Sequence, residues 1–128
     1  MDRKIIASAA VLGIIAIVLG AFGAHGLKKL ISAESITVFE TGVKYQMYHA
    51  LFLLFVGIMP QVSQKAKKTI LTLVLSGVIL FSFSIYFLAC NMLFSFDFKK
   101  IGFITPIGGL LLIGAWGTLF LDIIRQKG

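Results

Sequence analysis

The sequence has few charged residues. Only 13% of its 128 residues are Asp, Glu, Lys or Arg, and just five of these are acidic, whereas about a quarter of the residues of a soluble domain are charged. The apolar parts of the chain contain no set of nucleophile, base and acid. We therefore predict that the protein is not an enzyme.

Cysteine and histidine are also scarce, since the chain has one cysteine, Cys90, and two histidines, His25 and His49. A single cysteine excludes an internal disulfide and a metal site built on a cysteine pair. A zinc site would need more ligands than the two histidines supply. Two histidines on neighbouring helices can ligate haem iron, so that possibility stays open, but we predict no cofactor.

Hydrophobic residues make up 59% of the chain, and they lie in four runs without charge. The runs are 5–27, 45–64, 69–96 and 101–121. Each is about as long as the roughly 20 residues that cross a bilayer. We therefore predict an all-α, integral membrane bundle of four transmembrane helices in one domain, 1–128. The predicted helices are about 5–24, 41–59, 69–94 and 102–124.

The connection between the first two helices is polar and has helical spacing. Ser32 and Ser35 are candidate N-caps, and Glu40 and Lys44 form a favourable i,i+4 pair. We expect a short amphipathic segment on the membrane surface between helices 1 and 2, or an extension of helix 2 beyond the membrane.

Small residues recur along one face of helix 1. Gly13, Gly20 and Gly23 alternate there with Ala9 and Ala16 at steps of three and four. Because helices in lipid associate largely through close packing, such a face predicts a helix contact. We expect it to lie within one chain, with a homo-oligomer contact as the alternative.

Several polar side chains fall within the predicted spans and can meet at one depth. Helix 1 ends, and helices 2 and 4 begin, on the same side of the membrane. A polar group facing lipid without a partner is costly, and Pro106 leaves a carbonyl one turn earlier without its usual donor. We predict a polar or ligand site there, with these candidates: His25, Tyr45, Gln46, Tyr86, His49 and Thr105.

The net charge of +7 does not indicate nucleic-acid binding, because the basic residues flank the apolar runs and form no basic face. On the side of the two termini lie Arg3, Lys4, Lys65, Lys67, Lys68, Arg125 and Lys127. On the other side lie Lys28, Lys29, Lys44, Lys99 and Lys100. The excess on the first side predicts that both termini are cytoplasmic.

Four ordered motifs resemble a known family. They are GAFGAHGL at 20–27, FETGVKYQMYHAL at 39–51, FSFSIY at 81–86 and ITPIGGLLLIGAW at 104–116. Together they resemble the YgdD/YwdK-type family of small bacterial membrane proteins, a domain of unknown function, which usually has glycine where this chain has Phe83. The resemblance implies a four-helix, multi-pass protein of the bacterial inner (cytoplasmic) membrane and no established catalytic residues.

Besides a haem protein, two functional classes remain open at this point. The first is a structural or accessory protein that binds membrane lipid, a small hydrophobic molecule or another membrane protein. The second is a small homo-oligomeric transporter or channel that uses a polar site centred on His49, because an ionisable residue within a membrane is costly and suggests function. We favour the first, since a four-helix monomer has little room for a pore.

Overall fold

The structure, a computed structural model, describes residues 1–95 and 97–126 of the chain. Phe96, Lys127 and Gly128, which belong to the predicted domain 1–128, lie outside the described residues. The described residues are helical throughout, with short connections. The α-helices are α1 (Asp2–Ala24), α2 (Ala33–Ile58), α3 (Gln64–Val78), α4 (Ser84–Ala89) and α5 (Ile104–Arg125). Short 3-10 turns occupy Leu27–Lys29, Asn91–Leu93 and Phe98–Ile101.

The helix predicted at about 41–59 begins earlier in the structure, at Ala33. Its N-cap is Ser32, whose side chain accepts a hydrogen bond from the backbone N–H of Ser35 at 3.2 Å. Such a cap satisfies one of the free N–H groups of the first turn. The polar residues before the predicted start therefore continue α2, which is the second of the two arrangements left open by the sequence. A separate amphipathic helix does not occur among the described residues.

The helix predicted at about 69–94 is interrupted by a π-helical turn. α3 and α4 are joined without a break by this turn, Ile79–Phe83, and α4 ends at Ala89. The chain then folds back through a loop in which the Asn91 side chain accepts a hydrogen bond from the Phe98 backbone N–H at 2.7 Å. π-Helical turns are rare and often occur at functional sites, so the region around this turn is a candidate functional site.

The helices pack in two main pairs, α1 with α2 and α3 with α5. A core of apolar side chains from these four helices joins the pairs. Its largest fully buried members include Ile5, Leu53, Val56, Ile70 and Val74. A second, smaller cluster lies at the end away from the termini and consists of Leu27, Ile31, Phe39, Tyr86 and Ala89.

The outward surface of the bundle is strongly apolar. On α1, for example, Ile14, Ile17 and Val18 are at least 60% exposed, and such extended apolar surface indicates contact with a membrane. Three helical stretches of the described residues are long and apolar enough to span one: Asp2–Lys29, Gln64–Ala89 and Phe98–Arg125. α2 is not among them, because the polar residues between Lys44 and His49 lower the mean hydropathy of this helix.

Near the C-terminal end of α1, its small-residue face contacts the N-terminal half of α2. A Cβ atom on Gly23 would lie 3.0 Å from the Phe39 ring, and one on Gly20 would lie 3.5 Å from Val43. A Cβ on Gly13 would have no neighbour within 4 Å. The expected close approach at Gly13 is thus absent, because the buried face of α1 at that level is formed by Ala9, Leu12 and Ala16.

Lys67 links three helices at the end that carries the termini. Its side chain is 1% exposed, and its Nζ lies 3.0 Å from Oδ1 of Asp2 at the start of α1. Nζ also donates to the Gly57 carbonyl at 3.4 Å near the end of α2. A buried ammonium group needs such partners, so Lys67 is part of the structure of this end and not a free surface cation.

Candidate functional site

Gln46 lies at the centre of the polar contacts between helices. Its side chain is fully buried, its Nε2 donates to the Leu12 carbonyl of α1 at 2.9 Å, and its Oε1 accepts from the Tyr86 hydroxyl of α4 at 2.7 Å. One α2 side chain thereby connects α1 and α4. Both ends of the amide are paired, so Gln46 and Tyr86 form a structural network.

Two serines near the π-helical turn make the other polar contacts. The hydroxyl of Ser82, within the turn, donates to the Gly42 carbonyl of α2 at 2.9 Å. The Ser84 hydroxyl lies 2.6 Å from the Thr105 hydroxyl in the first turn of α5. Hydrogen bonds of this kind hold helices together in lipid. The turn therefore connects α2 and α5.

His49 uses both of its ring nitrogens. Nδ1 lies 2.7 Å from the Tyr45 carbonyl oxygen, and Nε2 lies 3.1 Å from Nε1 of Trp116 on α5. A carbonyl only accepts and an indole N–H only donates. These partners fit a neutral imidazole ring with hydrogen on Nδ1 and a lone pair on Nε2. The ring also contacts Phe52 edge to face.

An apolar groove of 340 Å³ lies beside His49 between α2 and α5. Its lining residues are Tyr45, His49, Phe81, Gly109, Leu112, Ile113 and Trp116. Tyr45, Ile113 and Trp116 form its outer rim and are 41%, 67% and 50% exposed. We refer to this cavity as the His49 groove.

A second groove of 290 Å³ continues along the same helix pair on the other side of Trp116. It is lined by Tyr48, Leu51, Phe52, Phe55, Val56, Met59, Trp116 and Leu119. Trp116 is the one residue that lines both grooves. Its ring packs on Phe52 at 4.1 Å between centroids, so the Trp116 side chain divides the two spaces.

The π-helical turn and Gly108 shape the His49 groove. A Cβ atom on Gly108 would lie 2.6 Å from the carbonyl carbon of Leu80 and 2.8 Å from Cα of Phe81. Only glycine permits this close approach of α5 to the turn. The turn directs Phe81 into the groove, where its ring meets Tyr45 edge to face.

The predicted site residues fall into separate groups. Gln46 and Tyr86 share one network, Tyr45 and His49 line the groove, and Thr105 bonds to Ser84. His25 is exposed at the end of α1 and makes no side-chain hydrogen bond to another described residue. Their joint role in a single ligand site stays a prediction.

Sequence reasoning did not select Trp116, Phe81 and Gly109 as site residues. The signal for Trp116 was its position in the middle of a span, because membrane tryptophans are usually found at the interfaces. Phe81 had no comparable signal, since its direction depends on the π-helical turn. The described residues contain no group of three or more His, Cys, Asp or Glu suited to a metal ion.

Residues 19–109 match the family model described as a protein of unknown function, DUF423. The chain belongs to the DUF423 family. It is similar to the UPF0382 membrane protein YwdK of Bacillus subtilis, with 37% identity over 91% of this chain and 92% of YwdK. It is also similar to the UPF0382 inner membrane protein YgdD of Escherichia coli, with 35% identity over 98% and 93%.

A UPF0382 membrane protein of Staphylococcus haemolyticus is 38% identical over 85% of each chain. No solved structure matches the chain significantly. These relatives confirm the resemblance drawn from the four motifs, and their names describe them as membrane proteins. The DUF423 match includes α2, the π-helical turn and the first residues of α5. Four lining residues of the His49 groove lie within it, namely Tyr45, His49, Phe81 and Gly109.

Proposed function

We propose that the protein is a membrane protein that holds a lipid chain or a small hydrophobic molecule in the His49 groove. The observation that carries this proposal is an apolar cavity of 340 Å³ with the Tyr45 hydroxyl at its rim, since small-molecule sites are mostly apolar with a small number of polar groups. The cavity lies between α2 and α5, and its rim is exposed on the outer surface of the bundle, so a molecule dissolved in the membrane can enter it sideways.

The lining indicates what kind of molecule fits. Phe81, Leu112 and Ile113 supply apolar contact, whereas the nitrogens of His49 are already engaged. The Tyr45 hydroxyl makes no hydrogen bond to another described residue and stands at the exposed rim. We infer a ligand with a hydrocarbon body and one polar group near Tyr45. The engaged nitrogens give no support to proton exchange by His49.

Trp116 makes this proposal testable by fluorescence, because it is the only tryptophan in the chain and lines the groove. A dibrominated stearic acid, titrated into the detergent-solubilised protein, should quench its emission saturably. Gly109→Leu should weaken this quenching at least tenfold in apparent Kd. Such a change corresponds to about 1.4 kcal/mol of lost contact, since the leucine would occupy the groove.

Gly117→Leu is the matched control on the same helix. A Cβ on Gly117 has no neighbour within 4 Å, and Gly117 does not line the groove. This variant should keep the parent affinity. Equal quenching of both variants, or quenching that never saturates, would mean that the fatty acid reaches Trp116 only non-specifically, from the surrounding micelle. The proposal would then be abandoned.

We also propose that the chain crosses the membrane four times, with both termini in the cytoplasm. The four crossings are α1, α2, the continuous stretch of α3 and α4, and α5. α2 has 26 residues, which at 1.5 Å per residue gives about 39 Å, longer than the roughly 30 Å hydrocarbon core. Its polar residues Gln46 and His49 face other helices and are buried. A crossing by α2 therefore exposes few polar groups to lipid, and the basic excess at the termini favours the cytoplasmic side.

Reporter fusions should show alternating sides. A phosphatase that is active only in the periplasm should work after Leu30 and Lys99, and a cytoplasm-specific fluorescent protein should work after Gln61 and Gly128. Phosphatase activity after both Leu30 and Gln61 would show that α2 does not cross. Activity of the phosphatase after Gly128 would reverse the assignment of the termini.

A further inference from the structure

We propose that a separate cavity at the end carrying the termini binds the headgroup of an anionic phospholipid, of the phosphatidylglycerol type. The cavity measures 280 Å³ and lies between the start of α3 and the end of α5. It shares no lining residue with the His49 groove. The proposal therefore does not depend on the function assigned to that groove.

The lining combines cations, hydroxyls and apolar carbon. Two basic side chains, Lys65 and Arg125, come from the two different helices and are both exposed. Neither forms a salt bridge with another residue of 1–95 or 97–126. Basic cavities between helices on the cytoplasmic side of membrane proteins bind phosphate headgroups, and a guanidinium group can hold two phosphate oxygens at once.

The carboxylate in the cavity wall, Asp122, offsets part of this positive charge, because it interacts electrostatically with Arg125, and the two cations leave the lining with a net positive charge. Asp122 accepts hydrogen bonds from the backbone N–H of Ser63 at 3.0 Å and from its hydroxyl at 2.8 Å. It also accepts one from the Gln126 amide at 3.2 Å. Its oxygens are thus turned toward Ser63 and Gln126 and join the two helices. Lys65 and Arg125 are left as the groups able to receive an anion.

The two threonines indicate a headgroup that carries hydroxyls. Thr69 Oγ1 donates to the Lys65 carbonyl at 3.2 Å, and Thr118 Oγ1 donates to the Gly114 carbonyl at 2.8 Å. Since each hydroxyl hydrogen is already used, both oxygens can only accept. A phosphate flanked by glycerol hydroxyls supplies the anion for the cations and the donors for the threonines.

Apolar surface beside the cavity favours a lipid over a free phosphate. Leu121 lines it and is 43% exposed, and Ile124 on the same helix is 58% exposed. The cavity also lies where two apolar stretches, Gln64–Ala89 and Phe98–Arg125, begin and end, which is the level of headgroups in a bilayer. Acyl chains can therefore extend along α5 while the headgroup occupies the cavity.

Native mass spectrometry of the detergent-solubilised protein tests the proposal with phosphatidylglycerol and phosphatidylcholine. The parent should bind the first more tightly. Lys65→Gln with Arg125→Gln should reduce that preference at least about fivefold, the change expected even if only one of the two interfacial charges contributes. Arg3→Gln with Lys4→Gln is the control, because it removes the same charge at the same end without touching the cavity.

The control pair should retain the parent preference, and both pairs should melt at the parent temperature before lipid is added. Equal losses in the two pairs would show a general surface attraction and overturn the site. An unchanged preference in the Lys65 and Arg125 pair would overturn it too. Glycerol 1-phosphate should compete only weakly; competition at concentrations as low as those of the lipid would assign the cavity to a soluble anion instead.

Discussion

Gly108→Ala should lower the free energy of unfolding by about 3 kcal/mol, at the upper end of the usual cost of overpacking. The added Cβ would meet backbone atoms of Leu80 and Phe81 at 2.6 and 2.8 Å. A side chain could rotate away, but backbone in a helical turn cannot. α5 must therefore move away from the π-helical turn, and the contacts among Ser82, Gly42 and the groove lining should weaken together.

Reversible unfolding in mixed micelles measures this loss, and Gly117→Ala on the same helix provides the control. A Cβ at Gly117 meets nothing within 4 Å. Alanine also favours a helix over glycine by roughly 0.5–1 kcal/mol, so this variant should be as stable as the parent or slightly more stable. If Gly108→Ala behaved like Gly117→Ala, α5 could not pack closely on the turn.

The architecture follows from the sequence where it depends on one helix at a time. Charge-free runs locate the apolar helices, and Ser32 marks the start of α2 through its side-chain cap. The π-helical turn could not be predicted, because no residue within Ile79–Phe83 requires it. The turn packs against Gly108, which is distant in sequence and becomes a neighbour only when α3 and α5 pack together.

For the candidate site too, the sequence predicts what depends on a single helix and not what depends on packing between helices. Helical spacing places Tyr45, Gln46 and His49 close together on α2, and the cost of burying polar groups predicts that they find partners. Spacing does not say which neighbour lies opposite each residue. In the structure Gln46 contacts α1 and α4, whereas His49 contacts Trp116 on α5. One predicted cluster is therefore divided between a structural network and a groove.

Gln46→Leu should lower the free energy of unfolding by about 2 kcal/mol, within the roughly 1–3 kcal/mol cost of leaving a buried group unpaired. The change removes the hydrogen bond to Leu12 and leaves the buried Tyr86 hydroxyl without its acceptor. Tyr86→Phe alone should cost less, because the freed Gln46 Oε1 is then the only atom without its partner and the Leu12 bond remains.

The double variant Gln46→Leu with Tyr86→Phe tests the assignment most directly. Once both partners are apolar, no hydroxyl is left unpaired, so the combined loss should fall short of the sum by about 1 kcal/mol, a coupling typical of groups in contact. Tyr48→Phe, at a side chain that is 53% exposed on the same helix, should change nothing measurable. Additive losses from Gln46→Leu and Tyr86→Phe would mean that the two side chains do not share a hydrogen bond in the membrane. Coupling near the expected value would instead support the contact that holds α4 against α2.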